Sequence, residues 1–231
     1  MIDRSREADL ERDGPGCACD AGPSIGARIG AHFDSKVNRA GPGVGSPLHA
    51  TTRSILDLLG DPHDRTVLEL GCGRGGLIVE LLRAGAASAG GVELSRGSVE
   101  IARNRFASLG LADMVTLTVG DAAEAALDPR DWVVLDRVIC CYPDADKLIA
   151  NSIPAARHRY AFSVPNSRGW RGLAARASRR LDNGWNGLRG RPCETFVHDL
   201  DRIDRSLRSA GFERHASEMH RLWYMAVYER A

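Results

Sequence analysis

Several features that mark particular protein classes are scarce or missing in this 231-residue sequence. No apolar run approaches the roughly 20 residues that a membrane-spanning helix needs, and the first residues lack the apolar stretch of a secretory signal. The formal net charge is only +1, which argues against a protein whose main task is to hold nucleic acid. Lysine is nearly absent, since only Lys36 and Lys147 occur. These absences predict a cytoplasmic globular protein of one domain with additions.

The cysteines also lack the paired spacing that is typical of zinc sites. Without a secretory signal, the six cysteines are not expected to form a disulfide framework. Cys17 and Cys19 form a single CxC in a Gly/Pro-rich stretch, with no second pair at zinc-site spacing. Cys72, Cys140 and Cys141 fall in apolar or glycine-rich stretches, where small buried thiols are common. We therefore expect no metal site.

What is present divides the chain into three parts. Residues 1–23 are charged and then Gly/Pro-rich, which predicts a mobile tail. Residues 24–65 are predicted to form two N-terminal cap helices, and residues 66–231 a core with an inserted lid segment at 167–194. The first cap helix is predicted by apolar residues that recur every four positions, at Ile25, Ile29, Phe33 and Val37.

Short apolar runs alternate with helical patterns through the core. The strand predictions are 66–70, 89–94, 115–119, 132–135 and 160–164, and the helix predictions are 77–82, 98–109, 145–156 and 198–210. This alternation implies parallel strands joined by right-handed crossovers, a doubly wound α/β sheet. The last two strands, 212–220 and 222–229, are separated only by Arg221, so they must be antiparallel. The prediction is a seven-stranded, mostly parallel sheet with a C-terminal hairpin.

A glycine-rich turn follows the first strand, in the sequence ELGCGRGG from Glu69 to Gly76. Glycines are needed where the chain turns sharply and a ligand approaches the backbone. Glu93 lies 20 residues after Gly73, at the end of the next strand, where a carboxylate can accept hydrogen bonds from ribose hydroxyls. The combination predicts a cofactor that contains a nucleoside.

Three features favour a cationic cofactor over a dinucleotide, although Gly71-x-Gly73-x-x-Gly76 fits both. Glu69 would repel a pyrophosphate, whereas it would attract an ammonium and a sulfonium. Asp121 ends the third strand, where it could accept a hydrogen bond from an adenine amino group. The Tyr-x-x-x-Lys pair of many hydride-transfer enzymes is absent. A nucleotide-linked oxidoreductase remains the alternative enzyme class.

At this point the sequence resembles the class I S-adenosylmethionine-dependent methyltransferases, which have a Rossmann-like sheet. VLELGCGRGG is similar to their first motif, Glu93 to their ribose-binding acid, GDAA to their adenine-side motif, and VVLDRVICCYPDADKLI to the motif after their fourth strand. HFDS near residue 33 and HDLDRIDRSLRSAGF near the C-terminus are loosely similar to magnesium-protoporphyrin and quinone-biosynthesis O-methyltransferases. The resemblance implies methyl transfer from S-adenosylmethionine to a small, anionic or aromatic molecule, at a hydroxyl or carboxyl oxygen.

The resemblance also implies cofactor-binding roles for particular residues. Glu69 would lie near the methionine amino group, Glu93 would bind the ribose and Asp121 the adenine amino group. Arg137 departs from the family pattern, because a cation near a sulfonium is unfavourable unless it points to the acceptor or pairs with Asp136. The implied cofactor residues are Glu69, Gly71, Cys72, Gly73, Glu93, Leu94, Asp121, Ala122, Asp136 and Arg137.

Catalytic candidates come from the polar residues expected at the carboxyl ends of the strands or on the cap helices. An in-line displacement needs an aligned acceptor, and a hydroxyl acceptor also needs a base. His198 and His32 are candidates for that base, with His49 as a further one, and Tyr142 could orient the acceptor. Each also has a structural interpretation, which for His198 is a hydrogen bond to backbone at the entry of a helix.

The inserted segment carries seven arginines against only Asp182 and Glu194. The arginines are Arg168, Arg171, Arg176, Arg179, Arg180, Arg189 and Arg191. One interpretation is a lid helix whose Trp170/Leu173/Leu181 face covers the acceptor. A second is an RNA-binding surface, which would make the chain an RNA methyltransferase. A third is a solvated helix face. The sequence predicts either a monomer or a homodimer.

Overall fold

A computed structural model describes residues 24–40, 48–188 and 194–231. The predicted tail at 1–23, with Cys17 and Cys19, lies outside the described residues, and so do Arg189 and Arg191.

Helices and strands alternate through the described part of the chain. In order they are α1 Ile25–Ala40, α2 Ala50–Leu59, β1 Thr66–Leu70, α3 Gly76–Arg83, β2 Ser88–Glu93, α4 Arg96–Ser108, β3 Val115–Val119, β4 Arg130–Asp136, α5 Ala145–Ser152, β5 Ala156–Pro165, α6 Gly169–Leu188, α7 Leu200–Ser209, β6 Phe212–His220 and β7 Trp223–Arg230.

The strands form one seven-stranded sheet in the order β3-β2-β1-β4-β5-β7-β6. The pairs among β3, β2, β1, β4 and β5 are parallel, while β7 is antiparallel to both β5 and β6. The predicted doubly wound sheet and its C-terminal hairpin are therefore confirmed. The strand order reverses between β1 and β4, and in such sheets ligands bind outside the carboxyl ends of the strands at that point.

Apolar clusters cover both faces of the sheet. One face packs against α5 and α7, and the other against α2, α3 and α4. The first cluster includes Leu68, Leu135, Leu148, Phe162, Leu207 and Tyr228, and the second includes Ile55, Leu59, Ile78, Phe106, Trp132 and Val227. Helix α1 packs against α4, and its Ile29 contacts the first cluster. This arrangement leaves the carboxyl ends of β1, β2, β3 and β4 as the place where a ligand can enter.

Two predicted boundaries are wrong near α5 and α7. The helix predicted over 145–156 ends at Ser152, and Ile153–Ala155 is a 3-10 turn before β5 begins at Ala156. Pro154 explains the early end, because proline has no N–H to donate along an α-helix. Helix α7 begins at Leu200 rather than at 198, since Asp199 caps it by accepting a hydrogen bond from the Asp201 N–H.

Candidate functional site

The glycine turn between β1 and α3 has a backbone that only glycine adopts easily. Gly71 and Gly73 have φ angles of 69° and 51°. A Cβ on Gly71 would lie 2.4 Å from Val138 Cγ2, so the turn is closely packed there. A Cβ on Gly73 would meet no atom within 4 Å, so this part of the turn faces open space. The turn thus presents bare backbone to whatever occupies that space.

Glu93 sits at the end of β2 and is held by two backbone amides. The N–H of Gly73 donates to its Oε2 at 2.9 Å, and the N–H of Ser95 donates to its Oε1 at 2.9 Å. Burial raises the pKa of this carboxyl, and the backbone N–H donors act in the opposite direction. A carboxylate offers about four acceptor positions. Acceptor capacity therefore remains for a ligand that carries hydroxyl groups.

Glu69, at the end of β1, is a buried carboxyl with an acceptor atom that has no hydrogen-bond partner. Its side chain is 5% exposed, and Oε2 has no donor in the described residues. Burial raises its pKa well above the usual range, and the nearby charges of Asp136 and Glu93 raise it further. A carboxyl that is buried and surrounded by acidic groups is stabilised by a cation that brings its own N–H donors.

Asp136 is the last residue of β4 and Arg137 follows it, and their side chains have different surroundings. The hydroxyls of Thr52 and Ser163 each donate to the Asp136 carboxylate at 2.5 Å. The Arg137 N–H donates to Ser163 Oγ, and its guanidinium carbon lies 5.3 Å from the centre of the Trp223 ring. Arg137 is therefore placed by a cation–π contact, an arrangement that the sequence analysis did not anticipate.

Asp121 and Tyr142 are joined in a way that sequence reasoning also missed. The Tyr142 hydroxyl donates to Asp121 Oδ2 at 2.8 Å, and the Ala123 N–H donates to Oδ1 at 2.9 Å. Burial raises the pKa of Tyr142, and the hydrogen bond to Asp121 raises it further. Tyr142 is thus kept protonated at neutral pH and fixes the orientation of the Asp121 carboxylate.

These residues surround a cavity of about 120 Å³ at the carboxyl end of the sheet. The cavity brings together seven of the ten predicted cofactor residues, together with Tyr142. The seven are Gly71, Gly73, Glu93, Leu94, Asp121, Ala122 and Arg137. The other three, Glu69, Cys72 and Asp136, are not part of the lining. Cys72 is 4% exposed and its side chain packs in the core.

Helix α1 forms the roof of this cavity through Ile29 and Phe33. It is fixed to α4 by Asp34, whose Oδ1 accepts hydrogen bonds from Ser95 Oγ at 2.6 Å and from the Gly97 N–H at 3.0 Å. A Cβ on Gly26 would lie 2.3 Å from Asp121 Oδ2, and one on Gly30 would lie 2.9 Å from Leu94 O. The glycine pair, four residues apart on the apolar face, was the overlooked sequence signal.

A second cavity of about 230 Å³ adjoins the first and shares Ile29 and Cys141 with it. Its remaining lining comes from α1, from the segment after β4 and from the segment before α7. These residues are Ile25, Arg28, Pro143, Glu194 and Phe196. The two cavities are therefore neighbours that share part of their wall.

The three histidine candidates occupy different positions. His198 Nε2 donates to the carbonyl of Tyr142 at 2.9 Å, and burial lowers the pKa of the ring. This contact is the backbone hydrogen bond of the structural interpretation. His32 is 4% exposed, packs edge-on against Phe33 and does not line the cavity. His49 precedes α2, and its pKa is lowered by burial and by the charge of Arg137.

The inserted helix α6 does not place its apolar stripe over either cavity. Trp170, Leu173 and Leu181 are at least 67% exposed. Two arginines of the inserted segment form ion pairs within the protein: Arg168, just before α6, pairs with Asp201, and Arg179 on α6 pairs with Asp182. Within the described ranges, no three His, Cys, Asp or Glu side chains gather to form a metal site.

Comparison with known proteins finds a family match in the central segment. Residues 67–157 match the family described as "Methyltransferase domain". The match covers less than half of the chain. The matched segment contains β1 to β4, the glycine turn, Glu93 and Asp121, which are the parts that build the cavity.

Two relatives illustrate what the central segment is similar to. A ribosomal protein L11 methyltransferase of Pasteurella multocida is 34% identical over 90 residues, which cover 37% of this chain and 31% of that protein. Aclacinomycin 10-hydroxylase RdmB of Streptomyces purpurascens is 41% identical over 85 residues, covering 36% and 22%. The chain thus spans about a third or less of these relatives.

The fold extends over nearly the whole chain in a solved structure. Magnesium protoporphyrin IX methyltransferase from Synechocystis PCC 6803, determined with bound SAH, superposes with a TM-score of 0.70 and 20% identity. The superposition covers 90% of this chain and 100% of the other. The fold is therefore a known one over most of the chain.

Proposed function

We propose that this chain is an S-adenosylmethionine-dependent methyltransferase that acts on an oxygen atom of a small-molecule acceptor. The observation that carries the proposal is the acceptor-rich edge formed by Glu69, Glu93 and the open backbone at Gly73. The methyltransferase-domain match and the Synechocystis enzyme with bound SAH support the choice of cofactor.

The residues present fit the cofactor at three points. Glu69 lies outside the cavity lining, and its carboxylate would attract an ammonium group placed at the turn. Glu93 has acceptor positions left for the two ribose hydroxyls, and Asp121 has a position left for an adenine amino group. A Cβ on Gly73 would fill the open space beside the turn. When bound, the cofactor supplies a methyl group on an electrophilic sulfonium.

The role of the protein is then to exclude water and to align the acceptor. Ile29 and Phe33 of α1 cover the cofactor cavity, and the second cavity joins it beside Cys141. Holding two reactants in line contributes roughly 7–11 kcal/mol to such a reaction. We propose that the acceptor occupies the second cavity, with its oxygen directed toward the first.

A carboxylate is the acceptor group that agrees best with the positions and hydrogen bonds of the candidate bases. Tyr142 has a raised pKa and donates a hydrogen bond to Asp121, and His198 Nε2 donates a hydrogen bond to a backbone carbonyl. His32 does not line the cavity. A carboxylate is already ionised at neutral pH and needs no base, whereas a hydroxyl needs one. We therefore favour a carboxyl oxygen, with His198 and Tyr142 positioning the wall of the pocket.

Isothermal titration calorimetry with S-adenosylhomocysteine and, separately, with NADH tests the cofactor assignment. We expect the former to bind and the latter not to bind. Glu93→Ala should weaken binding of S-adenosylhomocysteine at least about 100-fold, because the ribose loses its acceptor and two amides lose theirs. Glu100→Ala, at an exposed carboxylate on α4, is the matched control and should leave binding unchanged.

Binding of NADH alone would overturn the proposal in favour of an oxidoreductase. Radiolabelled S-adenosylmethionine then separates the acceptor classes, with a pool of small carboxylic acids compared against total RNA. Label in the RNA, and none in the acids, would favour the RNA-binding interpretation of the inserted segment.

A further inference from the structure

Helix α6 has two faces of opposite character. Its inner face carries small residues, and a Cβ on Gly172 would lie 2.2 Å from the Ser167 carbonyl oxygen. Ala175 is 1% exposed on the same face. Its outer face carries large apolar side chains that are between 58% and 75% exposed, at Trp170, Leu173, Leu181 and Trp185. With Ala177, these positions are spaced by three or four residues, so they form one stripe along the helix.

Helix α6, which carries the stripe, is held against the rest of the protein by contacts of its inner face. The Asn183 side chain donates to the Thr195 carbonyl at 3.0 Å and accepts from the Thr195 N–H at 2.9 Å. The guanidinium carbon of Arg179 lies 5.9 Å from the centre of the Trp223 ring, on the inner side. The helix is 20 residues long, which corresponds to about 30 Å. An exposed apolar face of this length is more extensive than the single apolar residues that are scattered over ordinary protein surfaces. It therefore indicates a binding surface.

The charges beside the stripe are positive. Arg176 and Arg180 are exposed along one side of it. Arg171 lies on the other side, with its guanidinium carbon 5.5 Å from the centre of the Trp170 ring. The acid on the helix, Asp182, is paired with Arg179. The outer face therefore combines tryptophan and leucine with arginines that form no ion pair among the described residues.

We propose that the outer face of α6 binds the surface of a membrane that contains anionic phospholipids. Tryptophan and leucine suit the boundary between head groups and acyl chains, and arginines beside an apolar stripe are attracted to anionic head groups. No described helix is long and apolar enough to cross a bilayer. The helix would lie in the plane of the surface, with its small inner face kept on the protein. The positive charge argues against a second copy of the same face as the partner, since the arginines would face each other.

Co-sedimentation with vesicles tests this inference. The full chain is mixed with vesicles of phosphatidylcholine alone, or of equal parts phosphatidylcholine and phosphatidylglycerol. We expect partitioning into the anionic vesicles to be at least about tenfold stronger, and to weaken as the salt concentration rises. Tryptophan emission should move to shorter wavelength on binding, because Trp170 and Trp185 leave water.

Two double variants separate the apolar and the charged contributions. Leu173→Ser with Leu181→Ser should abolish binding to both kinds of vesicle. Arg176→Gln with Arg180→Gln should remove most of the preference for anionic vesicles. Leu109→Ser, at an exposed leucine after α4, is the control and should bind as the parent does.

Binding that is equal for the two vesicle types, or unchanged in the leucine double variant, would overturn the proposal. So would a dimer in light scattering that the leucine double variant dissociates without any vesicle binding, since the face would then join two copies. The inference is independent of the proposed function. Titration of S-adenosylhomocysteine into the same samples shows separately whether the cofactor site is intact.

Discussion

The carboxyl edge of the sheet and the outer face of α6 depart from ordinary folding preferences in opposite directions. At the sheet edge, Glu69 is buried with an acceptor that lacks a donor. On α6, Trp170 and Leu181 are more than 70% exposed. Burying an unsatisfied carboxyl and exposing large apolar groups both lower stability, so neither is expected unless a ligand or a surface compensates.

The two regions also differ in how firmly they are held. The sheet edge is built from buried strands and closely packed turns, and α1 is fixed over it by Asp34. On α6, one face packs and the other makes few contacts. A substitution at the edge should therefore change both stability and cofactor binding, whereas one on the outer face of α6 should change membrane binding alone.

The largest effect is expected at Gly71. Gly71→Ala adds a Cβ at a positive φ and within 2.4 Å of Val138, so it should lower the free energy of unfolding by about 3 kcal/mol. Gly110→Ala is the matched control, because Gly110 has a φ of 70° but open space around it. The control should cost about 1 kcal/mol and leave cofactor binding intact. Urea unfolding and calorimetry measure both quantities, and equal losses in the two variants would show that the turn is not closely packed.

Glu69→Gln should increase stability while it weakens binding. The pKa of Glu69 is raised in the folded protein, so the folded state holds a proton that the unfolded state has lost above the ordinary carboxyl pKa. Stability therefore falls as pH rises from that ordinary value toward the raised one. Glutamine removes this dependence, and in that window the variant should be more stable by about 1 kcal/mol or more.

Binding of S-adenosylhomocysteine to the same variant should weaken about tenfold or more, because the ammonium loses a nearby negative charge. Glu100→Gln controls for the loss of one negative charge on the surface. Parallel stability curves for the parent and Glu69→Gln between pH 5 and pH 8 would contradict the assigned pKa shift.

Local sequence patterns were enough to predict most of the fold. Strands β1 and β3 begin and end where the apolar runs at 66–70 and 115–119 do. The turn residues on either side of a short apolar run mark where the strand begins and ends. The single residue Arg221 between two strands allows only a hairpin. The error at Ser152 arose because the apolar periodicity continues past the point where Pro154 ends the helix.

The candidate site was only partly predictable, because its contacts join distant parts of the chain. Glycines and acids at strand ends were visible, and the cavity contains them. The hydroxyl of Thr52 on Asp136 spans 84 positions, and the contact of Tyr142 with Asp121 spans 21. No local period encodes such pairs. They follow from the strand order and from the packing of α2 on the sheet, which depend on the whole fold.

The smallest effect on stability is expected on the outer face of α6. Leu173→Ala removes an apolar side chain that is 67% exposed, so the free energy of unfolding should change by less than about 0.5 kcal/mol. Leu207→Ala, in the fully buried face of α7, is the comparison and should cost about 2–5 kcal/mol. Thermal and urea unfolding measure the difference. A loss of more than about 1 kcal/mol at Leu173 would mean that another part of the chain already covers the stripe, leaving no free surface for a membrane. A neutral result, combined with loss of vesicle binding, would show that this leucine serves an external partner rather than the fold.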